Sequence, residues 1–257
     1  MLTWLHTLSN FRIGVLIVSL GLAASTVVPF LIRWKFALTP GEHVVKGAEE
    51  SFKLFTSVTM LLLAFCLVRV QGDHRSVEDL VAREATIIFK LNRALAGFGG
   101  DDAVGLRENL KMYAASTVND EWPLLAHGQR SEATSDLLTI LVQGCRQLDP
   151  KTPLQQLARA EVLGTLTQMS DVREARLSAS RLFLPVYFWQ ALLSAIALLI
   201  VFGWLQSPLP KMFAYVGGVT LGVSLLLTVL ITTEGIFVGE SRVTADAIAR
   251  IVPSLSE

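Results

Sequence analysis

Residues 13–32 read IGVLIVSLGLAASTVVPFLI, with Ser19, Ser25 and Thr26 as the only polar side chains and Pro29 near the far end. At 1.5 Å per helical residue this run is about 30 Å long, the thickness of a bilayer's hydrocarbon core. Arg12 precedes it, and Arg33 and Lys35 close it. Ala23, Ala24 and Ser25 offer the small residues of a signal-peptide cleavage site. The apolar run nevertheless continues through Val27, Val28, Phe30, Leu31 and Ile32, beyond the roughly 7–15 residues of a secretory h-region. It therefore reads as a retained membrane anchor.

Three further runs are of the same kind. The second, Leu54 to Val68, lies between Lys53 and Arg69; it is short, but Phe52 and Val70 extend it and the flanking cations can snorkel to the headgroups. The third covers about Leu184 to Leu205 and the fourth about Met212 to Thr232, so the short connection Gln206 to Lys211 makes these two an antiparallel hairpin. Trp4 and Trp34 flank the first run, and Trp189 and Trp204 lie near the ends of the third, where amphipathic rings favour the headgroup level. Arg12, Arg69, Arg75, Arg83, Arg173, Arg176, Arg181 and Arg242 fall on one side of the membrane, against Arg33, Lys35, Lys46, Lys53 and Lys211 on the other. The excess places both termini and the central region in the cytoplasm.

Composition agrees. The 257 residues are 52% hydrophobic and 17% charged, and the mean hydropathy is +0.51. That excludes a disordered chain, and two cysteines exclude a disulfide framework. The 22 basic and 22 acidic residues cancel, leaving no global field for nucleic acid.

Between Gln71 and Arg181 the pattern becomes that of a polar helical bundle. Ser76-Val77-Glu78-Asp79 reads as a capping box opening a helix that Gly99 and Gly100 stop. A second helix spans about Asp102 to Trp122, ended by Pro123, a third Ser131 to Leu148, and a fourth runs from the Thr152-Pro153 cap to about Phe183. The expected fold is all-α: an integral membrane protein with four transmembrane helices and a helical bundle extension between the second and third. Its segments are 1–70 (the first two spans), 71–181 (the cytoplasmic bundle) and 182–257 (the last two spans with a C-terminal tail).

Several residues break the bland pattern. Glu84 lies four after Leu80 and four before Ile88, on the stripe that should face the core, so it needs a cationic partner. Arg173 is the first candidate and Arg176 the alternative, in a structural or gating ion pair. Glu121 faces the negative end of its helix dipole, so it is either compensated by Arg130, His127 or a neighbouring subunit, or it is a solvated helix end with Trp122 packing and Pro123 terminating. Gly218 and Gly222 form a GxxxG packing face in the last span. His6, His43, His74 and His127 are scattered, Cys66 and Cys145 are isolated, and no catalytic or phosphate-loop motif occurs, so no catalytic residue, metal site or cofactor is expected.

Arg83-Glu84-Ala85, Tyr113 with Asp120-Glu121-Trp122-Pro123 and Gly128, Arg173-Glu174-Ala175-Arg176-Leu177, Leu184-Pro185 and Trp189 together resemble the bestrophin-like bacterial membrane proteins over about residues 50 to 250. Where that family tends to show Asp-Arg-Pro-Phe and then Gly, this chain has Glu234-Gly235-Ile236-Phe237 and Gly239, without the Arg-Pro pair. The resemblance implies a homo-oligomeric ion channel of the bacterial inner membrane, anions favoured, with the lipid bilayer and small inorganic ions as partners. In that reading the second span lines the pore with Thr56, Thr59, Leu63 and Cys66, and Lys53 and Arg69 form cationic mouths. The competing reading is a non-conducting membrane scaffold or sensor whose cytoplasmic bundle binds a protein.

Overall fold

A transmembrane backbone must satisfy its own hydrogen bonds, and helices do so segment by segment. The computed structural model describes residues 9–36, 41–206 and 210–256, with backbone only at 32–34, 36, 210–213 and 256, and every regular element in them is helical. Four helices are long and apolar enough to cross a membrane: Asn10–Leu31, the helix Glu42–Phe98, Val186–Leu205 and Ala214–Glu234. Trp4, the Trp34 side chain and residues 207–209 of the expected hairpin connection lie outside the described residues.

The first span is α1 (Asn10–Leu22), a π-helical turn (Ala23–Val27) and α2 (Val28–Phe36). Pro29 explains the interruption, because it has no N–H to return to the preceding turn. The carbonyl of Ala24 instead accepts a hydrogen bond from the Trp204 indole at 2.8 Å.

The helix α3 (Glu42–Phe98) is continuous over 57 residues. The capping-box expectation at Ser76 therefore does not hold. Between Val70 and Val77 the chain carries no proline, and a lone Gly72 costs a helix only about 1 kcal/mol. Both flanking valines are buried, which offsets that cost. The helix stops where Gly99 and Gly100 adopt φ of +72° and +86°, a backbone region open to glycine.

The remaining elements are α4 (Asp101–Ser116), a π-turn (Thr117–Glu121), α5 (Trp122–Leu125), α6 (Glu132–Gln147), α7 (Pro153–Ala179), α8 (Val186–Leu205), α9 (Pro210–Glu234), α10 (Asp246–Ile251) and a final 3₁₀ turn (Pro253–Ser256). Pro123 does not end its helix. The chain passes through the π-turn into α5 and stops at Gly128, whose φ is +65° and whose N–H bonds Leu125 O at 3.0 Å. Ser131 and Thr152 cap α6 and α7 by accepting from the N–H of Thr134 and Gln155, both at 3.2 Å.

The chain divides into two compact units, Met1–Gly72 with Phe183–Arg242, and Asp73–Leu182 with Val243–Glu257. The tail, expected with the last spans, thus belongs with the central bundle, where the Trp122 indole donates to Val243 O at 3.3 Å.

Within the first unit, Phe52, Leu63, Cys66 and Val70 of α3 join one buried cluster with Leu192 and Leu199 of α8 and Val216, Val223 and Leu230 of α9. Glu234 at the end of α9 accepts from the Leu184 N–H at 3.3 Å and the Trp189 indole at 3.0 Å, supplying donors at the start of α8 with a partner. The close helix approach uses glycines other than the expected pair. A Cβ on Gly21 would lie 2.5 Å from Ser224 Oγ and one on Gly14 3.2 Å from Thr228 Cγ2, so α1 and α9 meet through glycines of α1. A Cβ on Gly218 would meet nothing within 4 Å, and one on Gly222 only the Met60 terminus at 3.4 Å.

Candidate functional site

In the second unit, the apolar stripe of α3 carries Glu84 into the core, and α7 brings two arginines one turn apart. Arg176, 0% exposed, donates through Nε to Glu84 Oε2 at 2.7 Å and through Nη2 to Glu84 Oε1 at 3.2 Å and Glu121 Oε2 at 2.7 Å. Arg173 clasps the same Glu121 through Nε and Nη2, and its Nη2 also donates to Ser135 Oγ at 2.9 Å. The Tyr113 hydroxyl reaches Glu84 Oε1 at 3.4 Å. Two carboxylates and two guanidiniums therefore close on themselves with zero net charge, tying α3, the π-turn and α7 together.

Of the two arginines expected for Glu84, the alternative meets it. Arg176, not Arg173, meets Glu84, while Arg173 shares Glu121 with Arg176. Glu121 is not compensated by Arg130, which pairs at 3.3 Å with exposed Glu174, nor by the exposed His127. The π-turn accounts for this: the register shift delivers Glu121 inward just before Pro123, and Trp122 follows with its ring centroid 5.2 Å from the Arg176 guanidinium carbon. Arg176 Nη1, the one arm without a hydrogen bond, belongs to a guanidinium held against that ring.

Burial opposes the ionised form of Glu121, but the hydrogen bonds of Arg173 and the charges of Arg176 and Arg173 outweigh it and hold its pKa below the usual carboxylate range. Burial likewise opposes the charge on Arg176, yet Glu84 and Glu121 raise its pKa. Tyr113 is pushed up by burial first and by Glu84 second. Glu121 and both arginines are thereby held in their charged forms, which suits the cluster to fixing helix positions. The sequence joins Glu84 to Arg173 or Arg176, but Glu121, Tyr113 and Ser135 are not legible in it as members of the same cluster. The available signal was the pair of arginines three residues apart, on one helical face, in a chain with two acids that needed partners.

Gly128, the last residue of the expected motif, turns the chain so that its carbonyl accepts from Arg181 Nε at 3.3 Å. Pro123 is exposed.

Of the expected pore-lining residues, Thr59, Leu63 and Cys66 are all 0% exposed, so their stripe faces protein within one chain. Thr56 is half-buried and returns its hydroxyl to Phe52 O at 2.7 Å. The face of α3 that stays uncovered carries Ser57, Leu61, Ala64 and Val68. Lys53 is exposed but paired with Glu50 at 2.8 Å, and Lys46 with Glu42 at 2.9 Å, so that end is charge-compensated. Arg69 is exposed. Among the described residues, no group of three or more His, Cys, Asp or Glu side chains is placed to hold a metal ion.

A bestrophin-like domain matches residues 49–248. No functionally curated protein matches the chain. The fold is similar to that of a crystal structure described as a membrane protein, with a TM-score of 0.60 and 12% identity over 96% of this chain and 97% of the other.

Proposed function

The chain belongs to the bestrophin-like family, which is not a family of enzymes, and from that premise we propose that this multi-pass membrane protein is a homo-oligomeric ion-permeation protein of the bacterial inner membrane, selective for anions. Both termini lie on the cytoplasmic side. Copies assemble so that the uncovered stripe of α3, Ser57, Leu61, Ala64 and Val68, faces a shared path.

The observation that carries this reading is the two-faced character of α3. One face is sealed by α8 and α9, and the other presents a hydroxyl, a methyl and two branched side chains at intervals of three and four residues. A single protomer cannot enclose a pore with one such face, so several copies are required. Anion preference rests on the family membership, since Lys46 and Lys53 at one end of the stripe are paired with acids.

Liposomes carrying the purified protein should conduct chloride, and Leu61→Ala should change the current. A silent, tight bilayer across pH and calcium would sink the proposal.

A scaffold or sensor role is favoured by a separate observation. In the second unit Val104 is 62% exposed, and Leu154 and Leu157 are each 71% exposed. Stoichiometric capture of one protein by the detergent-solubilised full chain, lost in Leu154→Asp/Leu157→Asp, would support that role in place of permeation.

A further inference from the structure

The first unit contains a cavity of about 270 Å³ between α1 with its π-turn, α8, α9 and Phe52 of α3, lined mostly by apolar residues such as Leu20, Leu199 and Val223, with Thr220 and Ser224 among them. An apolar engineered cavity of about 150 Å³ holds benzene, so this one has room for a bicyclic or diaryl molecule. Charged side chains are absent from its lining, so a charged ligand would be desolvated without compensation.

One polar atom in the wall lacks a partner. Ser25 lines the cavity at 4% exposure, and its Oγ makes no hydrogen bond. A serine or threonine within a helix ordinarily returns its hydroxyl to the carbonyl four residues back, as the neighbouring Thr26 does to Leu22 O at 2.6 Å. Ser25 sits in the middle of the π-turn that Pro29 induces, and its hydroxyl is left for the cavity. A buried hydroxyl left without a partner bears its full desolvation penalty, which a ligand's hydrogen bond would relieve.

Depth narrows the occupant. Counting along the apolar run 13–32, Ser25 lies about 10 Å from one end and about 18 Å from the other at 1.5 Å per residue. Lipid headgroups stop at the edge of the hydrocarbon and do not reach it.

We infer that this cavity is a binding site for a small neutral lipophile dissolved in the bilayer, whose carbonyl oxygen accepts a hydrogen bond from Ser25. The site serves a ligand of this kind whether or not the oligomer conducts ions.

The test uses the full chain in nanodiscs with benzophenone, a diaryl ketone that links to nearby C–H bonds under ultraviolet light, and diphenylmethane, its carbonyl-free counterpart, as competitor. Labelling should saturate and map to peptides covering 17–27 and 216–227. Ser25→Ala should weaken benzophenone about tenfold and leave diphenylmethane competition unchanged, and Val223→Phe should abolish both by filling the space. Non-saturable labelling spread over the lipid-facing surface would overturn the site. An unchanged benzophenone affinity in Ser25→Ala would overturn the carbonyl contact, a readout that stands even if Val223→Phe fails to fold.

Discussion

Arg176 is the residue on which the second unit turns, because a fully buried guanidinium is tolerable only with both carboxylates in place. Arg176→Met leaves Glu84 unpaired and Glu121 with one partner, and it should cost about 3–5 kcal/mol. Glu84→Met with Arg176→Met removes the mismatch and leaves Arg173 facing Glu121. The double variant should therefore lose clearly less than the two single losses added together, as denaturant unfolding in detergent would read. Arg176→Lys is no substitute, since one ammonium cannot bridge two carboxylates as the planar fork does. Acid adds a second check. The pKa of Glu121 is lower in the folded protein than its unfolded value of about 4.3, so its contribution is complete above that value and fades as pH falls through the folded pKa. Thermal stability should stay level from pH 7 to about 5.5 and drop below about 4.3, and Glu121→Gln should flatten that drop. Periodicity alone picked out Glu84 as misplaced. It could not choose between Arg173 and Arg176, since both lie on the inner face of α7, and the choice is made by which acid each arginine meets in space.

At the scale of the element, Pro29 and Pro123 each stand just after a π-turn that the sequence does not announce. A missing N–H suggests a helix end or leaves no trace, whereas here each helix continues by shifting register, with the exposed polar groups finding partners elsewhere. Those partners are distant in sequence: Trp204 serves Ala24, and Arg173 and Arg176 serve Glu121. Trp204→Phe keeps the ring and removes the donor, so it should lower stability by about 1–3 kcal/mol through the orphaned carbonyl. The long α3 was misread for the opposite reason. Its Ser76 fits a capping box, but no breaker precedes it, and burial on both sides of Gly72 outweighs a local preference for ending. Burial also assigns Leu63 a different task from the one its spacing suggests. Leu63→Ala should cost about 2–5 kcal/mol as a core truncation and leave ion selectivity unchanged in the surviving protein.

For the whole molecule, the four spans and the helical region between them were legible because hydrocarbon imposes length and apolarity on any segment that crosses it. Which side of a span faces protein was not legible, because in lipid both faces are apolar and the periodicity that marks a soluble core is lost. Thr59, Leu63 and Cys66 share a face with a plausible polar character, yet α8 and α9 cover it. Assembly is therefore best tested on the face they leave open. The native thiols do not interfere: Cys66 is fully buried, and burial pushes Cys145 up to about 11, so neither offers an accessible thiolate near neutrality. Ala64→Cys should form disulfide-linked pairs of chains under mild oxidation in native membranes, and Leu61→Cys should do so too. Thr59→Cys should remain single, because its side chain is sealed within one chain. Efficient pairing at Ala64 with none at Thr59 places the uncovered stripe against another copy, as a shared path requires. Equal silence at both positions would mean that lipid covers that stripe, and the permeation reading would lose its structural basis.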